Sequence, residues 1–199
     1  MLRDLIVVTY LITHATIWAW LEVEMEGKYG WAVNLPTSCA FGGWTWYHIT
    51  MNLLVIMTVG SVTTIYISKF KYWWEKYIAT VLIFIFRTAV WFCVEDVMWF
   101  VINDSFGILK YTKNNIYWHK DKIWIGGTIL LNWLVLFGAI VLGFIERQAT
   151  QKNTVLIESA SAFIFLLTAC VISSFMEYGQ YSQIPNKIGC YGEESILFH

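Results

Sequence analysis

The chain has 199 residues, of which 58% are hydrophobic and only 14% are charged, and its formal net charge is −1. Soluble domains are about 45–50% apolar and about 25% charged, so this composition excludes an ordinary soluble protein and indicates a membrane protein. A net charge so close to zero gives no electrostatic support for a nucleic-acid partner. At this length we expect one helical domain over residues 1–199.

Five apolar segments are long enough to cross a bilayer, for which about 20 residues are needed. In hydrocarbon the backbone has to satisfy its own hydrogen bonds, so each segment is predicted to be a helix. The predicted fold is an all-α, polytopic transmembrane helical bundle with spans at 5–21, 46–68, 78–102, 123–145 and 154–176. The first segment ends in Trp18-Ala-Trp20 and acidic residues rather than in a cleavage site, so we interpret it as a retained span.

The sequence gives only weak signals for the orientation of the bundle across the membrane. Lysines and arginines are equally numerous on the two sides, so the positive-inside rule does not decide. The second and fourth loops are short and densely basic, which favours a cytoplasmic N-terminus. In this orientation Cys39 and Cys190 both lie outside the cell, where a disulfide could form.

Ionisable residues gather where the spans reach one side of the membrane, which we call the polar face. Charge in hydrocarbon is expensive, so carboxylates and imidazoles at this depth are candidates for function. The polar face receives Glu22, Glu24, Glu26, His48, Asn52, Glu95, Asp96, Asp104, His119 and Glu177. Every span contributes to this set, as a shared pocket would require.

Helical spacing separates the three acids at the end of the first span. Glu22 and Glu26 share one face, whereas Glu24 points elsewhere. His14 and Trp18 continue the same stripe toward the middle of the membrane. The alternative interpretation of the three glutamates is that they form a solvated helix end without a function. The alternative for His48 is that it anchors the helix in an aromatic belt at the membrane interface.

The third span carries the charges that are hardest to explain structurally. Glu95 and Asp96 are followed by further apolar helix, and they are about 100° apart on the helical wheel, so they could flank one pocket. Arg87 lies about two turns deeper and needs a partner, either Glu95 or a residue on a neighbouring span. Glu158, near the start of the fifth span, is explained by a favourable helix dipole.

The leading hypothesis is a metal-dependent membrane enzyme. Oxygen and nitrogen ligands together suit zinc, iron or manganese, and such a divalent metal could activate water or dioxygen against a lipid-like substrate in the bilayer. Asp96 would be the general acid or base, and Arg87 would orient Glu95 or meet an anionic head group. The predicted ligands are Glu22, Glu26, His48, Glu95 and His119.

Two other functions remain open. No span carries a His-x-x-His or Glu-x-x-His motif, so a histidine-rich desaturase or hydroxylase is poorly supported. The same acids could form the relay of a proton- or cation-translocating protein, with His14 and Arg87 extending it to the far side. A non-catalytic subunit that uses the polar face for assembly in a larger membrane complex is the third possibility.

The loops on the polar face contain several turn-forming residues. The segment Glu26-Gly-Lys-Tyr-Gly-Trp-Ala-Val-Asn-Leu-Pro-Thr37 predicts a shaped loop that could fold back as a lid. By similar turn chemistry, Asn103-Asp-Ser-Phe-Gly107 is predicted to terminate the third span. Shaped loops on this face favour a site there.

The same segments carry a resemblance to a known family. The chain resembles a little-characterised family of small prokaryotic polytopic membrane proteins. The matching residues are Glu26-Gly-Lys-Tyr-Gly-Trp-Ala-x-Asn-Leu-Pro-Thr37, Tyr47-His48, Glu95-Asp-x-x-Trp-Phe-Val-x-Asn103, Phe106-Gly107 and Trp118-His119. The resemblance implies a location in a prokaryotic cell membrane. It also implies that the five predicted ligands and Asp96 belong to one constellation.

Overall fold

The computed structural model describes residues 2–27, 39–41, 44–64, 73–116, 124–125, 129–150 and 153–174. Within these residues five helices account for most of the chain, so the predicted all-α class is confirmed. The helices are α1 (Leu2–Glu26), α2 (Trp46–Thr64), α3 (Trp73–Ile102), α4 (Leu131–Thr150) and α5 (Thr154–Ser174). The predicted span ends at 65–68 and 175–176 lie outside the described residues, as do His119, Glu177 and Cys190.

Two helices in the described part of the chain are long and apolar enough to cross a membrane. They cover Leu2–Glu26 and Thr154–Ser173, in agreement with the first and fifth predicted spans. Length and apolar composition are the requirements that a bilayer sets on a spanning helix. These two helices therefore favour an association with membranes.

Two short antiparallel hairpins accompany the helices. In the first, β1 (Cys39–Phe41) pairs with β2 (Trp44–Thr45), which leads directly into α2. In the second, β3 (Trp124–Ile125) pairs with β4 (Ile129–Leu130). The fourth helix therefore begins at Leu131, and its predicted start at residue 123 is wrong. β-Branched and aromatic residues around two glycines favour strands here over a helix.

Local hydrogen bonds end α1 and α3 where turn residues stand in the sequence. Gly27 has a φ of 76°, and its N–H donates to the carbonyl of Val23 at 3.0 Å, a left-handed cap that favours glycine. After α3, the Asn103 carbonyl accepts from the N–H groups of Phe106 and Gly107, both at 3.0 Å. The turn predicted at 103–107 is therefore confirmed, and it ends α3 beside its acidic pair.

Helix α3 lies at the centre of the bundle and contacts α1, α2, α4 and α5. Its inner face carries buried Trp91 and Val94, which pack in one core with Leu11 of α1 and Leu166 of α5. Because α1 and α2 both pack on α3, side chains from three helices can meet at the end of α3 that carries Glu95.

Candidate functional site

Four of the predicted site residues come together where α1, α2 and α3 meet. We call Glu22, Glu26, His48 and Glu95 the acidic cluster; each is only 4–6% exposed. Glu24, between the first two, is exposed. A solvated helix end therefore fits Glu24 alone, and that interpretation is wrong for Glu22 and Glu26. The helical spacing on α1 predicted this division correctly.

Glu22 accepts hydrogen bonds from side chains of both α1 and α2. Its Oε1 accepts a hydrogen bond from the indole N–H of Trp18 at 3.3 Å and another from the Tyr47 hydroxyl at 3.5 Å. Its carboxyl group also lies close enough to the carboxyl of Glu95 for the two to interact. Two carboxylates so close together repel each other when both are charged, so the pair favours one shared proton.

His48 lies on the other side of Glu26, at the start of α2. Its Nε2 is 3.9 Å from Oε1 of Glu26, and its Nδ1 is 2.8 Å from the hydroxyl of Thr45. The ring also meets the rings of Trp44 and Tyr47 edge-on, with centroid distances of 6.2 and 5.3 Å. His48 is buried by these neighbours, so it is a member of the cluster and not an anchor exposed in an aromatic belt.

Asp96 connects the acidic cluster to a second group of side chains. It is less buried than Glu95, and its charge acts on Glu95, on the thiol of Cys93 and on the hydroxyl of Tyr111. Tyr111, in the loop after α3, is buried against the ring of Phe100 at a centroid distance of 4.8 Å. Asp96 thus flanks the cluster, as its position on the helical wheel predicted.

Arg87 is paired across the bundle with a residue of α5. Its guanidinium donates to both carboxylate oxygens of Glu158, from Nε at 2.9 Å and from Nη2 at 2.5 Å. Its Nη1 donates to the carbonyl of Val62 on α2 at 3.2 Å. Of the two partners predicted for Arg87, the structure thus shows the one on a neighbouring span. Glu158 is 1% exposed, so the ion pair, and not a helix dipole, explains its presence.

His14 lies deeper in the bundle, on the same face of α1 as Glu22. Its Nδ1 accepts a hydrogen bond from the indole N–H of Trp91 at 3.0 Å, and its ring stacks on Trp18 with an interplanar angle of 14°. Trp91 itself is only 1% exposed. Packing and hydrogen bonding therefore hold His14 about two turns below the acidic cluster.

Three contributors to the site were not predicted as site residues from the sequence. They are Trp18 and Tyr47, which donate to Glu22, and Thr45, which contacts His48. Two of them have a local signal in the chain: Trp18 precedes Glu22 by one helical turn, and Thr45 stands at capping distance from His48. Tyr47 has no such signal beyond its place next to His48.

No group of three or more His, Cys, Asp or Glu residues with the arrangement of a metal site occurs among the residues that the structure describes. His119, one of the five predicted ligands, lies outside them, so the metal centre and its lipid-like substrate stay predictions. No protein-family model, curated protein or solved structure matches the chain, so the family resemblance also stays a prediction.

Proposed function

We propose that the protein is an integral membrane protein of five spans whose acidic cluster binds protons and passes them across the bilayer. The observation that carries this proposal is that the buried carboxyls of Glu22 and Glu95, from two different helices, lie close enough to interact inside the bundle. Carboxylate and histidine chains buried among membrane helices are typical of pumps and transporters.

The outer surfaces of the helices support the five-span arrangement. Soluble proteins rarely expose large contiguous apolar patches, whereas lipid-facing helices must do so. Large apolar side chains are exposed on α2, α3 and α4 as well as on α1 and α5. Examples on the three middle helices are Leu53, Met57, Ile78, Leu82, Val141 and Leu142.

The contacts of Glu22 support a site that can both hold and release a proton. The donors Trp18 and Tyr47 stabilise its carboxylate form, whereas the neighbouring carboxyl of Glu95 favours a proton shared by the pair. These interactions favour opposite protonation states. Two interacting carboxyls of this kind titrate as one unit.

Titratable residues on both sides of the Glu22–Glu95 pair could extend the proposed proton path. Toward the polar face lie Glu26 on one side and Asp96 on the other. Toward the far side, His14 is held on the α1 stripe by Trp91. These residues give the pair titratable neighbours in both directions.

The proposal is tested by proton flux in liposomes. The purified protein is reconstituted with a pH-sensitive dye inside the vesicles, and a potassium diffusion potential drives proton entry. We expect wild-type protein to acidify the lumen and Glu95→Gln and Glu22→Gln to reduce the rate at least about tenfold, since each removes the group that holds the proton.

Glu24→Gln is the matched control, because Glu24 is on the same helix but exposed. It should conduct protons like the wild type. Absence of flux in wild-type vesicles, or wild-type flux in Glu95→Gln, would contradict the proposal. Stoichiometric zinc, iron or manganese in the purified protein, lost in Glu95→Gln, would favour the metal-dependent enzyme instead.

A further inference from the structure

Thr45 and His48 bond to each other in both directions at the start of α2. The N–H of His48 donates to the Thr45 hydroxyl oxygen, and the N–H of Thr45 donates to Nδ1 of His48, both at 3.4 Å. The spacing is that of a capping box, with an imidazole at the position that glutamate or glutamine commonly fills. A third contact joins the same two residues: the Thr45 hydroxyl is 2.8 Å from Nδ1 of His48.

This geometry decides which ring nitrogen of His48 carries the proton. A backbone N–H can only donate, so the nitrogen that faces it has to be an acceptor. Nδ1 faces the N–H of Thr45, and a neutral imidazole with an accepting Nδ1 has its proton on Nε2. Nε2 in turn is the atom that faces the Glu26 carboxylate, at 3.9 Å.

We propose that Thr45 is a positioning residue that fixes His48 in its Nε2–H tautomer and so turns the ring's only N–H toward Glu26. The role in function rests on the proton transport proposed above; the tautomer does not. With Nδ1 occupied by Thr45, the imidazole cannot take a proton on one nitrogen and release it from the other. His48 then presents a fixed N–H dipole to the Glu26 carboxylate, and the transported proton passes through the Glu22–Glu95 pair.

The surroundings of His48 fit a ring held in one orientation. Among the residues that the structure describes, the acid within 4 Å of the ring is Glu26 of α1, and Glu22 and Glu95 are the other acids of the acidic cluster. From its own element and the preceding strand the ring meets Tyr47 and Trp44, both edge-on. The aromatic rings limit rotation of the imidazole, so the N–H stays aimed at the carboxylate.

The tautomer is measured directly by nitrogen NMR of histidine-labelled full-length protein in lipid bilayers, with His48→Gln used to assign the signal. We expect His48 to be neutral with its proton on Nε2 and to show a hydrogen-bond correlation between the Thr45 amide proton and Nδ1. A proton on Nδ1, or absence of that correlation in the wild type, would overturn the inference whatever the flux assay gives.

Variants at Thr45 test the positioning role. Thr45→Ser keeps the hydroxyl and should keep the tautomer, whereas Thr45→Val should lower the ratio of Nε2–H to Nδ1–H about tenfold, the effect of one strong lost hydrogen bond. An unchanged ratio in Thr45→Val would refute the role of the Thr45 hydroxyl. If Thr45→Val does not fold, the wild-type correlation and the Ser variant still decide.

Discussion

The ion pair between Arg87 and Glu158 makes the sharpest prediction about stability. Both side chains are 1% exposed, and two hydrogen bonds join the guanidinium to the carboxylate. Glu158→Gln keeps the size of the side chain but removes its charge. Arg87 then loses the ion-pair partner that the structure describes for it and keeps the carbonyl of Val62 as an acceptor.

The expected loss follows from the burial of the pair. Removing one partner of a buried ion pair costs about 3–5 kcal/mol, because the remaining charge has no compensation. Replacing both partners by apolar residues of similar size removes the uncompensated charge and is often neutral or stabilising. We therefore expect Glu158→Gln to be destabilised by several kcal/mol, and Arg87→Met combined with Glu158→Leu to recover most of that loss.

The assay is equilibrium unfolding in mixed lipid–detergent micelles, followed by the loss of helical circular dichroism. Glu24→Gln is the control, since an exposed substitution should change the free energy of unfolding by no more than about 0.5 kcal/mol. The reasoning would be refuted if Glu158→Gln lost less than about 1 kcal/mol, which is the range of a solvent-exposed pair. It would also fail if the double variant were no more stable than the single one.

Two other predictions use the same unfolding measurement. A Cβ at Gly143 would lie 2.6 Å from the backbone of Leu156, so Gly143→Ala should cost about 1–3 kcal/mol, whereas Gly138→Ala, with open space around it, should cost nothing. Equal effects of the two would contradict the close approach of α4 and α5. Trp91→Phe removes the donor to Nδ1 of His14 and should cost about 1–3 kcal/mol, and an unchanged stability would contradict that hydrogen bond.

The parts of the site that depend on spacing along one helix were predictable from the sequence. Glu22 and Glu26 are buried and Glu24 is exposed because their order on α1 alone decides which face each occupies. The turn after α3 was predictable for the same reason, since Asn103 and Gly107 act within a few residues of each other. Local geometry carries this information without reference to the rest of the chain.

The second hairpin shows where such local reasoning stops. Trp124-Ile-Gly-Gly-Thr-Ile129 continues into the apolar helix α4, so hydropathy alone extends the span through it. A short apolar run has no period that distinguishes a buried strand from the first turns of a helix. The two glycines and the β-branched residues were the signals that could have placed the helix start later.

The partner of Arg87 depends on which helices are neighbours, and spacing within α3 does not contain that information. The spacing within α3 could nevertheless have excluded Glu95 as the partner of Arg87. Side chains pair along a helix when they are about one turn apart, and Glu95 is about two turns away from Arg87. A second constraint is depth. Counted back from the ends of α3 and α5, Arg87 and Glu158 lie within about one helical turn of the same level. Since both helices start from the same predicted side of the membrane, a buried cation and a buried acid at equal depth are natural partners, and depth matching would have selected Glu158.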